Sequence, residues 1–175
     1  MANIDDFKAR FPKGGLRPNR FKVTCNFPAN VGGDNELASF MVKGASLPSS
    51  TIGTLEIPSR GGRRLKINGD RTFEPWTITV FNDDNMILRS AFERWSNLIN
   101  SHEENVGLAN PNDYQVDMFV EQLDMSDAVV KTYNIRGAWP SIIAPIELSF
   151  DNNDTIEEYD VTIEYQYWTS ANVTT

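Results

Sequence analysis

Residues 158–168 read EYDVTIEYQYW, and their side chains fall into two alternating sets. Successive side chains of a strand point to opposite faces of a sheet, so a period of two separates a core face from a solvent face. One set is aromatic and aliphatic and comprises Tyr159, Val161, Ile163, Tyr165 and Tyr167. The other set is mainly polar and comprises Asp160, Thr162, Glu164, Gln166 and Trp168. The pattern predicts one long, half-buried β-strand.

Alternation of this kind recurs along most of the chain. It is strict in the segment at 21–27, where apolar Phe21, Val23, Cys25 and Phe27 are separated by polar residues. Further strands are predicted near 37–42, 65–67, 76–80, 114–123, 129–136 and 146–150. Residues typical of turns or loops separate them at 30–35, 68–70, 124–127, 137–140 and 151–154. We therefore expect a mainly β fold of about eight or nine short antiparallel strands, in a β-barrel or sandwich.

One segment has helical rather than strand spacing. The capping residues at 82–85 precede a run whose apolar members recur every three or four positions. Those members are Ile87, Leu88, Ala91, Phe92, Trp95, Leu98 and Ile99. We expect one helix over 85–101, flanking the β-structure. A second, short helix within 1–11 is compatible with Phe7 and Phe11, which are four residues apart.

Residues 44–64 interrupt the strand pattern and are rich in Gly, Pro, Ser and Thr. Two aliphatic residues hint at one short strand, but we expect mainly a long extended loop, which in a compact domain is usually functional. The basic cluster in this loop lacks interleaved aromatic residues and the Gly-Lys-Ser/Thr of a phosphate-binding loop. A protein–protein contact is therefore favoured over a nucleic-acid site. The candidate contact residues are Arg60, Arg63, Arg64, Leu55 and Ile57.

The net charge of −8 is unevenly distributed. Residues 1–75 hold 12 Lys/Arg and 7 Asp/Glu, a balance of +5, whereas residues 76–175 have a balance of −13. One interpretation is that a basic face of one copy docks on an acidic face of the next. The alternative is that folding mixes both halves over the surface.

The composition leaves little room for catalysis or for a metal site. Cys25 and His102 are the single cysteine and the single histidine, so an intrachain disulfide, a redox pair and a four-ligand zinc site are excluded. The paired acidic residues are adjacent in sequence rather than placed to converge in a cleft. We expect no enzyme, no cofactor and no metal. The N-terminus lacks a signal peptide and no apolar run is long enough for a membrane span, which predicts a cytoplasm-like compartment.

Several motifs, in order and with their spacing, resemble tail tube proteins of contractile-tailed, T-even-like bacteriophages. They are RPN at 17–19, KINGDRTF at 66–73, WTITV at 76–80 with ND at 82–83, IRGAWP at 135–140, DNN at 151–153 and YW at 167–168. The resemblance also includes the amphipathic helix and covers roughly residues 5–168. The chain departs from the family pattern in 28–36 and after Trp168.

The resemblance implies a single tail tube domain over 1–175, with a β-barrel-like fold and a flanking helix. Its parts would be an N-terminal arm (1–16), the contact loop (44–64), the helix (85–101) and a C-terminal tail (169–175). Copies would form hexameric rings that stack head to tail inside a sheath, with baseplate and tail terminator proteins as further partners. DNA would pass through the lumen without specific binding. The subunit would reside in the virion tail after assembly in the host cytoplasm.

These expectations place candidate residues on three surfaces. The basic loop would make the contact between rings. The lumen wall is expected to be acidic or neutral, because a basic wall would bind DNA, and candidates there are Gln115, Asp117 and Glu121. Glu93, on the polar face of the helix, would touch the sheath, or else the helix packs only within one ring. Alternatives are a tube subunit of a type VI secretion system or contractile bacteriocin, and a carbohydrate-binding β-sandwich that uses Trp139, Trp168 and the tyrosines.

Overall fold

The computed structural model describes residues 3–11 and 15–170. Three α-helices are present in these ranges: α1 (Ile4–Arg10), α2 (Asn35–Met41) and α3 (Ile87–Ile99), with a 3-10 turn at Pro111–Asp113. The strands are β1 (Phe21–Thr24), β2 (Val42–Ala45), β3 (Thr51–Pro58), β4 (Arg64–Thr72), β5 (Trp76–Phe81), β6 (Val116–Leu123), β7 (Val129–Ile143), β8 (Glu158–Glu164) and β9 (Tyr167–Ser170). The mainly β, antiparallel fold predicted from the sequence is confirmed.

Seven strands form one antiparallel sheet in the order β1-β6-β7-β8-β5-β2, with β9 paired to β7. The long strand β7 joins its two parts, because its first half pairs with β6 and β9 and its second half pairs with β8. Gly137, between the halves, has φ = +63°, a conformation that favours glycine. The backbone therefore bends where β7 passes from one part of the sheet to the other.

The core lies between the inward faces of these strands and helix α3. Trp76, Ile78 and Val80 of β5 are buried, as are the inward residues of β8. Helix α3 contributes Leu88, Ala91, Phe92 and Trp95. The two buried indoles are satisfied, because Trp76 Nε1 donates to the Ser46 carbonyl at 2.7 Å and Trp95 Nε1 donates to the Tyr114 carbonyl at 2.8 Å.

The predicted strand at 37–42 is wrong, because this segment forms helix α2 before β2 begins at Val42. The Asp34 carboxylate accepts hydrogen bonds from the backbone N–H groups of Glu36 and Leu37, both at 3.0 Å. Such an N-cap satisfies donors that a helix leaves unpaired, and it starts a helix where alternation alone predicted a strand. Helix α1 lies within 1–11, where the sequence was compatible with a short helix, so among the described α-helices α2 is the one that the sequence did not predict.

The long extended loop predicted for 44–64 is also wrong. Strand β3, which includes the short strand that Leu55 and Ile57 indicated, occupies Thr51–Pro58 and pairs with β4, which runs straight through the turn predicted at 68–70. The chain reverses instead at Gly61 and Gly62, whose φ angles are +96° and +80°. A Cβ on Gly69 would lie 3.1 Å from the Gly53 carbonyl carbon, so these two glycines allow a close backbone approach across the hairpin.

Four other elements differ from the predictions. Residues 137–140 do not end the strand, because β7 continues to Ile143, and residues 144–157 contain no strand where one was expected at 146–150. The strand predicted over 158–168 divides into β8 and β9, since Gln166 N–H bonds to the Arg136 carbonyl at the bend in β7. Helix α3 is shorter than 85–101. The sequence-predicted tail at 169–175 and arm at 1–16 lie partly outside the described residues.

Candidate functional site: assembly surfaces

The β3–β4 hairpin forms a two-stranded sheet separate from the main one, and nearly all of its side chains are exposed. Cross-strand register places Leu55 opposite Ile67 and Ile57 opposite Leu65. Since alternate residues of a strand share a face, all four aliphatic side chains lie on one side of the hairpin. This surface is called the hairpin apolar face below. All four side chains are exposed in the subunit, and exposed apolar clusters are common at interaction surfaces, so this face is a candidate contact.

The opposite side of the hairpin is charged. Glu56 forms ion pairs with Arg64 at 2.9 Å and with Lys66 at 3.4 Å. At the tip, no described carboxylate lies within ion-pairing distance of Arg60 or Arg63. The structure thus places the five predicted contact residues on three parts of the hairpin. Leu55 and Ile57 lie on the apolar face, Arg60 and Arg63 lie at the tip, and Arg64 lies on the charged side.

The outward side chains of β1, β6, β7 and β9 form a mainly polar surface, the β6–β7 face, which also includes Phe119. It contains two of the predicted lumen residues, Asp117 and Glu121. The Asp117 carboxylate pairs with Arg136 and accepts the Gly137 N–H at 3.1 Å, while Lys22 lies opposite Glu121 in the strand register. The charges on this face are therefore balanced. Gln115 precedes β6, with its side-chain oxygen close to Gly137.

Sequence reasoning missed a second polar surface, the β5–β8 face. Its strand residues include Thr77, Thr79 and Thr162, with the carboxylates of Asp160 and Glu164. Thr79 Oγ1 donates to Asp160 at 2.7 Å. The threonines alternate with core residues in both strands, but the pairing that brings them together is visible only in the folded sheet.

The predicted sheath-contact residue, Glu93, lies on helix α3 and is half exposed. Its carboxylate accepts a 2.7 Å hydrogen bond from Arg89 Nε, one turn earlier on the helix. Arg94, on the same polar side, donates from Nε to the Val31 carbonyl at 2.8 Å. The charge of Glu93 is thus partly neutralised within the subunit.

The described residues include the single histidine, the single cysteine and many carboxylates. None of their His, Cys, Asp and Glu side chains cluster in a way that would hold a metal ion. Cys25 is fully buried, and burial raises its pKa to about 12. No helix in the described ranges has both the length and the apolarity to cross a bilayer.

The sequence also matches known proteins. The family model described as "Phage tail tube protein" matches residues 16–171. This chain belongs to the phage tail tube protein family. A tail tube protein of Serratia phage KSP90 is 31% identical, over 94% of this chain and 95% of that protein. Tail tube protein gp19 of Enterobacteria phage T4 is 29% identical, over 94% of this chain and 98% of that protein.

Solved structures of contractile injection systems share the tail tube fold. A chain of the anti-feeding prophage tube-terminating cap has a TM-score of 0.67 at 16% identity and covers 89% of this chain and 90% of its own length. A chain of the PVC sheath–tube complex in the extended state has a TM-score of 0.59 at 13% identity and covers 97% and 98%. At these identities the likeness concerns the fold alone.

Membership of the tail tube family makes this chain a structural tube subunit of a phage tail. The carbohydrate-binding alternative required coplanar, exposed aromatic residues. Instead, Trp168 packs edge-on against Tyr133 and donates from Nε1 to the Ser49 carbonyl at 3.0 Å, and Trp139 packs edge-on against Tyr114. These rings belong to the fold.

Proposed function

We propose that copies of this chain close into hexameric rings, and that the rings stack head to tail into a hollow tube that conducts DNA into the host cell. The observation that carries the stacking step is the β3–β4 hairpin. An isolated two-stranded hairpin is marginally stable in water, and this one exposes its apolar face. Docking on a neighbouring ring would remove that face from water.

Edge strands support the closure of a ring. Within the described residues, β1 pairs only with β6 and β2 pairs only with β5, so both ends of the main sheet have unpaired backbone groups. Such edges readily pair with another chain, and a closed barrel removes them. We infer that neighbouring subunits join their sheets around a common axis. This contact is heterologous, and once the ring closes no further subunit can be added through it.

The polar strand faces suit the wall of the lumen. The β6–β7 face, with Gln115, Asp117 and Glu121, has balanced charge, and the β5–β8 face has an excess of carboxylates over its single lysine, Lys43. Neither face would hold DNA through its phosphates, as a basic wall would. We propose that the wall is polar and without net positive charge. A cryo-EM map of the tube with a strongly positive lumen would contradict this.

The outside of the tube is proposed to carry helix α3 and its contact with the sheath through Glu93. Chains with this fold come from a sheath–tube complex, a sheath/tube terminator and a baseplate, which supports the same classes of partner here. Assembly would take place in the host cytoplasm, without any catalytic step. Replacing Glu93 with Lys should weaken sheath assembly on preformed tubes; unchanged assembly would indicate that the helix packs only within the ring.

The central test is the assembly state of the purified protein. Light scattering and negative-stain electron microscopy should show ring-sized particles at low concentration and hollow tubes at high concentration. A stable monomer at high protein concentration would overturn the proposal.

A further inference from the structure

The hairpin and a second apolar surface lie at opposite ends of the β5–β8 strand pair. The chain returns from the hairpin into β5 at Trp76, which pairs with Ile163. The other end of the pair joins Phe81 to Glu158, and there the segment 144–157 connects β7 to β8. The five steps of β5 between these ends span about 17 Å at the usual rise of a strand. In a head-to-tail stack along these strands, the hairpin of one copy would face the end of the next copy where this segment lies.

Segment 144–157 exposes large apolar side chains. Phe150 is fully exposed at 106%, Leu148 is 81% exposed and Ile156 is 70% exposed. Together with Ile146 and Phe81 they line a groove of about 1140 Å³. None of the described hairpin residues lines this groove, so the hairpin of the same copy does not fill it. An exposed apolar cluster of this size is typical of an interaction surface.

The base of the segment is fixed while its middle is free to contact a partner. Arg89 on α3 donates to the Ala144 carbonyl at 2.6 Å, and the Ala144 N–H bonds to the Asp160 carbonyl at 2.8 Å. At the other end, Asn82 makes two hydrogen bonds of 2.9 Å to Glu157, one from its backbone N–H and one from its side chain. The two ends of the segment are thus anchored to the rest of the fold.

The charges of the two surfaces are complementary. Residues 144–157 contain four carboxylates and no Lys or Arg, whereas residues 51–72 contain five Lys/Arg and two Asp/Glu, a balance of +3. The carboxylates of Glu147, Asp151 and Asp154 have no ion-pair partner among the described residues. The one cation at the groove, Lys43, is already paired with Glu158. The acidic segment therefore matches the unpaired arginines of the hairpin tip.

We propose that the groove at 144–157 is the docking site for the hairpin of a second copy of this chain. The hairpin apolar face packs against Leu148, Phe150 and Ile156, while Arg60 and Arg63 face the unpaired carboxylates. This inference rests on the proposed stacking and names the receiving surface on the next subunit. The contact is heterologous and does not close on itself, so it repeats along the tube.

Charge reversal in two separate variants tests the pairing. The tip variant is R60E/R63E and the groove variant is E147K/D151K/D154K. Each alone should raise the subunit concentration needed for tubes by about tenfold, because like charges then meet at the interface. An equal mixture should form tubes near the wild-type concentration, because each reversed tip finds a reversed groove and each original tip an original groove. The matched control, E103K/E104K, changes exposed acids away from both surfaces and should assemble normally.

Two further variants separate this inference from the stacking proposal. Phe150→Ser alters a fully exposed side chain, so the subunit should keep its wild-type unfolding free energy and still lose tubes. Replacing residues 51–72 with a short Gly-Ser linker removes the hairpin. Suppose that the deletion abolishes tubes. If the mixture of charge-reversal variants then fails to assemble, or if Phe150→Ser forms tubes like the wild type, the groove is not the docking site and hairpin stacking stands. Normal tubes from the deletion would refute hairpin stacking itself.

Discussion

The guanidinium group of Arg89 lies 5.0 Å above the ring of Tyr159 and donates a 2.6 Å hydrogen bond to the carbonyl oxygen of Ala144. One side chain thus joins helix α3 to strand β8 and to the first residue of segment 144–157. Tyr159 is itself buried, and burial raises the pKa of its hydroxyl. This part of the fold therefore depends on a cation whose side chain is only 17% exposed.

Replacing Arg89 with Met should lower the free energy of unfolding by about 1.5–3 kcal/mol, the range for a lost hydrogen bond that involves a charged group. Urea denaturation would measure the change. The matched control is Glu93→Gln, which removes the negative charge beside Arg89. Glu93 is half exposed, so this change should cost no more than about 0.5 kcal/mol. If the two substitutions lowered the free energy of unfolding equally, the hydrogen bond from Arg89 to Ala144 would not be what stabilises the segment.

The hairpin apolar face should matter for assembly and not for the stability of the subunit. Leu55→Asn and Ile67→Asn alter side chains that are exposed in the subunit, so the unfolding free energy should change by less than about 1 kcal/mol. In the tube each side chain would contribute about 1.5–3 kcal/mol through burial, so tubes should be lost. Sedimentation of tubes against subunit concentration measures this. Thr54→Asn, on the opposite side of the hairpin, is the control and should assemble.

Gly137 should resist substitution because two constraints act on it. Its φ is +63°, and an added Cβ would lie 2.9 Å from Gln166 Cγ and 3.1 Å from Gln115 Oε1. Gly137→Ala should lower the free energy of unfolding by at least about 1–2 kcal/mol. Gly44→Ala is the comparison, since Gly44 has no positive φ and its added Cβ would meet Thr79 at an ordinary 3.8 Å. A neutral Gly137→Ala would mean that β7 does not need the bend.

Because the thiol of Cys25 is buried, the free energy of unfolding should fall as the pH rises through the alkaline range. Its pKa is raised from 9.0 to about 12 by burial, so the folded state keeps the thiol protonated after the unfolded state has ionised. This contribution to stability is complete below pH 9 and is lost as the pH rises toward 12, by about 1.4 kcal/mol per pH unit. Urea denaturation at pH 8, 9 and 10 should show a steeper loss in the wild type than in Cys25→Ala. Parallel curves would contradict the prediction.

The sequence by itself determined the class of fold and most of the core. Alternation placed Tyr159, Val161 and Ile163 on an inward face, and helical spacing placed Phe92 and Trp95 in the core, where the structure has them. These patterns are readable because burial imposes the period of each element on its own residues. Several motifs in order and with their spacing, among them those around Gly69 and Gly137, were also enough to predict the family.

The positions of the assembly surfaces were decided only by tertiary structure. Segment 44–64 has weak local alternation, and it becomes a hairpin because β4, further along the chain, pairs with it. Leu148 and Phe150 alternate like strand residues, yet their segment pairs with no described strand and both side chains are exposed. The free energy of pairing depends on which strand lies alongside, and the alternation within one strand does not contain that information. The separation of hairpin and groove at opposite ends of β5 and β8 follows from the sheet register for the same reason.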